Sequence, residues 1–193
     1  MTDCPHSIAN HDDYYSWAGA DFYPDEVLTN ECDDHSARNY WLLPNGVGNQ
    51  GFVIDRGCQE PFNTIILKNT HNGFYKDRSA FFCFFFCFFF FFSSHFSHTV
   101  LFIFFMTTLF RGTANFNVLV LTFEGQWESI LHGRMEWHKD ECNVPLDAFV
   151  LDQVRSERLV RFVAKTVYRF GGGLQFIDFV FDPDAMIPGT WSL

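Results

Sequence analysis

GFVIDRGCQEPFNTIILKNTHN, residues 51–72, is the stretch of the chain that decides the fold. Two apolar runs rich in β-branched residues, 52–55 and 64–68, are separated by the turn formers Gly57 and Pro61. Short runs of this kind, bounded by glycine and proline, are typical of consecutive β-strands. The segment therefore predicts two strands joined by a turn, with the polar residues NTHN after the second strand.

Strand patterns continue on the carboxyl side of this segment, in the runs 115–122, 127–131, 145–151, 158–165 and 171–181. In one of them Val160, Phe162 and Ala164 recur at every second position, as in a strand with one buried face. We predict that Phe162, Phe176 and Phe179 lie in the core. Because helical periodicity is absent, the fold class predicted is all-β, a jelly-roll β-sandwich of about eight antiparallel strands.

These motifs resemble those of discoidin-like domains, also called coagulation-factor type C domains, in the galactose-binding-like group. Arg56 departs from the family pattern, which has leucine there. The resemblance covers 41–78 and 112–182 and implies loops at one end that bind carbohydrate, phospholipid headgroups or protein, often beside a structural calcium ion. The matching features are Trp41, the run 52–57, F-x-x-I-x-L at 62–67, NTHN at 69–72, Asp77 with Arg78, and GGGLQF at 171–176.

Composition limits the function classes. The 193 residues suit one domain, and the net charge of −10 argues against nucleic-acid binding, which needs a cationic face. The sequence contains no P-loop, G-x-G-x-x-G, G-x-S-x-G or H-E-x-x-H motif, and its six cysteines include no C-x-x-C pair. These features predict a non-enzymatic binding module that requires no cofactor.

The ends of the chain bear on its location. Residues 1–10 contain no apolar run of the kind found in a secretory signal peptide, and the chain has no N-x-S/T acceptor. We therefore expect a cytoplasmic protein or a fragment of an extracellular one. An intracellular protein-interaction scaffold is the alternative function. Residues 1–40 are acidic and aromatic and predict a loop-rich lead-in to the sandwich, and 183–193 form a C-terminal tail.

The segment 79–111 departs from everything around it. It reads SAFFCFFFCFFFFFSSHFSHTVLFIFFMTTLFR and holds 15 of the 27 phenylalanines without an acidic residue. Its length is compatible with a membrane-spanning helix, but serines and histidines fall in the middle, where polar groups are costly. A buried element of the fold is a second interpretation, which the small size of the domain disfavours.

A translated intron is the third interpretation of 79–111. Phenylalanine, cysteine, serine and leucine share T-rich codons, so a polypyrimidine tract would be translated into such a run. Removal of the segment joins Arg78 directly to Gly112 and restores the family motif without a gap. We therefore hypothesise a retained intron, and we expect membrane association if the segment is translated and inserted.

Two groups of side chains are candidates for contact with a ligand. Asn69, His71, Asn72 and Arg78 flank one predicted loop, and amide, imidazole and guanidinium groups hydrogen-bond sugar hydroxyls. Alternatively, Arg78 pairs with its neighbour Asp77 and Asn69 caps backbone groups in a turn. The lead-in supplies the aromatic candidates Trp17 and Tyr23, whose rings either stack on a sugar or pack against the sandwich.

A weaker candidate is a metal site in the motif HGRMEWHKDEC, residues 132–142. On a strand, Glu136, His138 and Asp140 would share one face and provide a trio of metal ligands. The alternative is a solvated edge strand whose charges discourage pairing with another chain.

Overall fold

The computed structural model describes residues 5–17, 20–29, 40–70, 112–136, 145–168 and 171–186. Two short 3₁₀ turns, η1 (Pro24–Leu28) and η2 (Asp184–Met186), lie within these ranges. The strands are β1 (Ser7–His11), β2 (Ser16–Trp17), β3 (Ala20–Asp21), β4 (Trp41–Leu42), β5 (Gln50–Asp55), β6 (Phe62–Asn69), β7 (Thr113–Leu121), β8 (Trp127–Arg134), β9 (Asp147–Arg155), β10 (Leu159–Val167) and β11 (Gly173–Val180).

The strands form two facing sheets and a small hairpin. One sheet has five strands in the order β1-β5-β10-β7-β8, and the other has four in the order β4-β11-β6-β9. Every pairing is antiparallel, and β2 pairs only with β3 among the described strands. The predicted fold class, an all-β jelly-roll sandwich, is confirmed.

Strand β1 is the main feature of the lead-in that the sequence did not reveal. It pairs with β5, with Ile8 opposite Ile54 and His11 opposite Phe52, and so forms one edge of the five-stranded sheet. Its sequence, SIANH, is short and mostly polar, and four of its five side chains are exposed. A strand that buries so little has no alternating pattern to detect, so part of the predicted loop-rich lead-in belongs to the sandwich.

A row of aromatic rings fills the space between the sheets. Trp41 meets Phe52 edge-on with ring centroids 5.0 Å apart, and Phe162 stacks on Phe52 at 5.6 Å. Phe116 continues the row, stacked on Phe162 at 5.8 Å. Large apolar rings of this kind dominate the free energy of core packing. Phe162 and Phe179 are buried as predicted, but Phe176 is only half-buried because the bulge in β11 turns it to the outer surface.

The antiparallel pairing places the connections at two opposite ends of the sandwich. The lead-in end carries the connections 12–49, 70–112, 135–146 and 168–172, and the hairpin end carries 56–61, 122–126 and 156–158. The turn that joins β7 to β8 lies at the hairpin end, with Phe123 fully exposed in it. Within the described residues, no helix combines the length and apolar character needed to cross a membrane.

Candidate functional site

A hairpin in the lead-in, residues 14–23, presents two different faces. Strands β2 and β3 place Ser16 opposite Asp21, which puts Tyr14 near Tyr23 on the same side and Tyr15 near Phe22 on the other. This division follows from the alternation of side chains along paired strands. We call this segment the lead-in hairpin, and its Tyr14, Ser16, Asp21 and Tyr23 side the outer face.

The inner face of the lead-in hairpin holds it against the sandwich. Phe22 is buried, packs with Leu42 and stacks on Tyr40 with centroids 5.6 Å apart. The backbone amide of Tyr15 donates to the carbonyl of Leu42 at 2.8 Å, and that of Leu42 donates to the carbonyl of Phe22 at 3.4 Å. The hairpin is therefore fixed to strand β4 by both packing and hydrogen bonds.

The outer face and the end of β1 together form a partly exposed aromatic cluster of His11, Tyr14 and Tyr23, in which Tyr14 also packs against the core. The two tyrosine rings lie 4.3 Å apart and are tilted by 42°. The imidazole of His11 meets Tyr14 edge-on at 5.6 Å and Tyr23 at 6.1 Å. Tyr23 is 38% exposed. An aromatic ring with one free face and a polar tip is the side chain that best contacts both the C–H face and the hydroxyls of a sugar.

Hydrogen bonds order the polar atoms of this cluster. The hydroxyl of Tyr14 donates to that of Tyr23 at 3.1 Å, and the hydroxyl of Tyr23 donates to Oδ2 of Asp21 at 3.5 Å. Ser16 donates to the other carboxylate oxygen of Asp21. The hydrogen bond with Tyr14, desolvation and the nearby Asp21 charge together raise the pKa of Tyr23 to about 12. Tyr23 is therefore a neutral phenol at any physiological pH.

His11 has a defined tautomer. Its Nδ1 lies 2.8 Å from the carbonyl oxygen of Asp12. Because a carbonyl only accepts, Nδ1 must carry a proton. None of the described residues hydrogen-bonds the other ring nitrogen, Nε2, which in the neutral ring is an acceptor for a hydroxyl.

Asp12 fixes the end of β1 to the five-stranded sheet. Its backbone amide donates to the carbonyl of Gly51 at 2.8 Å, and its Oδ2 accepts from the amide of Gly51 at 2.9 Å. Arg161 of β10 donates to the same carboxylate oxygen at 3.0 Å. On its other side Gly51 lies close to β10, where a Cβ would collide with the carbonyl oxygen of Phe162. The backbone next to His11 is thus held from two sides.

Asn69 holds the other connections of the lead-in end together. Its Nδ2 donates to the carbonyls of Thr113 at 2.9 Å and Glu136 at 3.0 Å, and its Oδ1 accepts from the amides of Thr70 and Thr113. The residue is fully buried. All four bonds expected of a primary amide are made within the protein, so Asn69 braces the connections and exposes no polar atom to a ligand.

Two of the predicted site residues, Asn69 and Tyr23, lie at the same end of the sandwich. Asn69 ends β6 and Tyr23 lies on the outer face of the lead-in hairpin, both at the lead-in end. Trp17 pairs with Ala20 in the hairpin, but its side chain lies outside the described part of the chain. The same holds for His71, Asn72 and Arg78, as well as for the insert 79–111. Their contact with a ligand remains a prediction.

The predicted metal trio is described only in part. Glu136 follows β8 with an exposed side chain, whereas His138 and Asp140 lie outside the described ranges. Across the residues that the structure describes, no group of three or more His, Cys, Asp or Glu side chains is arranged to hold a metal ion. A metal at 136–140 and a calcium ion beside the acidic lead-in both stay predictions.

Comparison with known proteins locates this architecture among solved structures. Family models and curated protein sequences gave no match. The family 32 carbohydrate-binding module of Clostridium perfringens NanJ, solved in complex with galactose, is 8% identical over 91% of both chains, with a TM-score of 0.50. CBM32-1 from a Clostridium perfringens family 31 glycoside hydrolase is 7% identical over 92% of this chain and 96% of that one, with a TM-score of 0.53.

A third structure is the family 32 carbohydrate-binding module of Streptococcus pneumoniae EndoD, which is 10% identical over 93% of this chain and 99% of its own, with a TM-score of 0.52. The chain has the jelly-roll fold of these modules. Identities this low show the fold alone, and the function has to be argued from the site.

Sequence reasoning named Tyr23 but missed His11 and the pairing of Tyr14 with Tyr23. His11 falls in a strand without an alternating pattern, and Tyr14 was one of several aromatic residues in an irregular segment. A usable signal was the spacing YYSW…ADFY, which pairs Tyr14 with Tyr23 once a hairpin turn at residues 18–19 is assumed. The segment lacks the Asn-Gly or Asp-Gly pair that identifies a two-residue turn.

Proposed function

We propose that this protein is a non-catalytic carbohydrate-binding module whose aromatic cluster of His11, Tyr14 and Tyr23 contacts the sugar. The observation that carries the proposal is the outer face itself. Tyr14 and Tyr23 stand partly exposed beside the imidazole of His11 and the carboxylate of Asp21, at the end of the sandwich where most connections meet. Ring faces suit the C–H surface of a pyranose, and the ordered polar atoms suit its hydroxyls.

The rigidity of the cluster supports the same function. Hydrogen bonds fix the lead-in hairpin to β4 and Asp12 to Gly51. The tyrosines and His11 are therefore held in place before a ligand binds. A site that is already ordered loses little conformational entropy on binding, which matters for ligands that make few contacts. The NanJ module was solved in complex with galactose, and this sugar is therefore the first to test.

The test is calorimetric titration of the chain with galactose and a panel of neutral saccharides. We expect Tyr23→Ala to weaken binding about tenfold, equivalent to ~1.4 kcal/mol, because it removes one ring face and the partner of Tyr14. The matched control is Phe123→Ala, which removes a fully exposed ring at the hairpin end. Equal effects of the two substitutions, or unchanged binding in Tyr23→Ala, would rule out the aromatic cluster as the site.

Protein interaction is the second candidate, and strand β9 favours it. Leu146 just before β9, with Val150 and Val154 in it, are between 43% and 48% exposed. An exposed row of aliphatic side chains on an edge strand is a surface that other proteins bind. Suppose that no saccharide binds, and that Val150→Asp abolishes capture of a protein partner while Tyr23→Ala does not. The protein is then an interaction scaffold and not a carbohydrate-binding module.

A further inference from the structure

Two carboxylates, those of Asp12 and Asp21, lie beside the aromatic cluster, and they differ in their partners. Asp12 is neutralised by Arg161, whose guanidinium lies 3.0 Å from its carboxylate. Among the described residues, the side chain of Asp21 accepts hydrogen bonds from the hydroxyls of Ser16 and Tyr23 alone, and no cationic side chain there forms an ion pair with it. Lys165, the other basic residue of β10 besides Arg161, donates to the side chain of Asn49 at 2.6 Å. The outer face therefore carries a carboxylate, Asp21, that no Lys or Arg side chain of the described residues pairs with.

The rings add to this preference for positive charge. Aromatic faces carry negative potential and attract cations within about 6 Å of the ring centre. The hydroxyl of Tyr23 bonds the carboxylate of Asp21, and the ring of Tyr14 lies next to that of Tyr23. A protonated amine placed over the cluster gains from both sources, whereas a carboxylate is repelled by both.

We propose that the aromatic cluster discriminates saccharides by charge, binding amino sugars best, neutral sugars next and uronic acids least. This inference rests on the proposed function, since it specifies the ligand class of the same site. Two unit charges 4 Å apart in a water-like medium interact by an energy that corresponds to about a fivefold change in affinity. We therefore expect about a fivefold gain from galactose to galactosamine and about a fivefold loss to galacturonate.

The experiment compares galactose, galactosamine and galacturonate, with the matching glucose series, by titration calorimetry of the full chain at pH 6.5. Each series keeps the ring stereochemistry and changes mainly the charge. The ranking should narrow when the salt is raised from about 20 mM to about 500 mM, because mobile ions screen exposed charges. Asp21→Asn removes the charge at nearly constant shape and should collapse the ratio between amino sugar and uronic acid from about 25-fold to less than threefold.

The control is Glu124→Gln, which removes one exposed carboxylate at the hairpin end and should leave the ranking unchanged. Binding of galacturonate equal to or tighter than that of galactose overturns the charge preference while leaving sugar binding intact. A ranking that survives Asp21→Asn assigns the preference to another part of the protein and also overturns the inference. Failure of all six sugars to bind overturns the proposed function together with it.

Discussion

Asn69 is the side chain that organises the lead-in end most directly. It bonds four backbone groups on Thr70, Thr113 and Glu136, and it does so without access to solvent. The sequence identified this position as important but left two roles open, ligand contact and backbone capping. An Asn at the end of a strand can serve either role. Its burial shows that the role is structural, and that burial depends on how other connections pack over it.

We expect Asn69→Ala to lower the free energy of unfolding by about 2–4 kcal/mol, because it leaves the buried amide and carbonyl groups of Thr113 without hydrogen-bond partners. Urea titration followed by tryptophan fluorescence measures the change. The control is Asn115→Ala on β7 of the facing sheet. Its exposed side chain bonds only Thr166 among the described residues, and its loss should cost less than about 1 kcal/mol. Similar losses for the two variants would contradict the bracing role of Asn69.

The strands differ in how far the sequence predicts them. β5 and β6 bury alternating or continuous apolar residues, so both were found within two residues of their ends. β1 and the lead-in hairpin were not found, because their strands are short and are stabilised by backbone bonds to β5 and β4 rather than by a buried face. Their positions depend on distant partners, which local patterns do not encode.

At the hairpin end, an ion pair joins β5 to β10 and makes the free energy of unfolding depend on pH. Arg158 donates to both carboxylate oxygens of Asp55 at 2.6 and 2.7 Å, and with the backbone amide of Gly57 it lowers the pKa of Asp55 from its ordinary 3.8. A lowered folded-state pKa means that the stabilisation is complete above the unfolded value and is lost as pH falls through the folded one.

Accordingly, wild-type protein should exceed Asp55→Asn in unfolding free energy by a constant amount above about pH 5, and the difference should shrink below pH 3.8. Urea titrations at half-unit steps from pH 2.5 to 6 provide the measurement. Asp152→Asn is the control, since this exposed carboxylate on β9 forms no ion pair with the described residues. A gap between wild type and Asp55→Asn that does not change with pH would be inconsistent with the ion pair as its source.

In the sandwich as a whole, the residues on either side of the segment 71–111, Thr70 and Gly112, lie close together. A Cβ built on Gly112 would lie 3.4 Å from the carbonyl oxygen of Thr70, so the two ends of this connection are adjacent. A short loop can therefore join β6 to β7 as well as a long one. The sequence predicted that 79–111 is separable from the fold, and the hypothesis that it is a translated intron remains a prediction, since those residues lie outside the described ranges.

Deletion of 79–111 leaves a connection of eight residues, 71–78, in place of 41. We expect the shortened chain to fold with an unfolding free energy about 1–1.5 kcal/mol higher, from loop-closure entropy alone. The control is a chain in which 33 glycine and serine residues replace the segment. It keeps the length of the connection and changes only its composition. Loss of the folded near-ultraviolet circular dichroism spectrum on deletion would show that the segment is part of the core. Sequencing of mature transcripts across the codons for 77–112 tests the intron hypothesis itself.

The most direct test of the account is to map where galactose binds. In ¹H–¹⁵N correlation spectra of the labelled chain, titration with galactose should shift the amide signals of His11, Tyr14, Asp21 and Tyr23, while those of Phe123 to Gln126 at the hairpin end stay unchanged. Saturable shifts confined to the lead-in end are the result that the account predicts. Shifts centred on the hairpin end, or on the exposed row of β9, would contradict it.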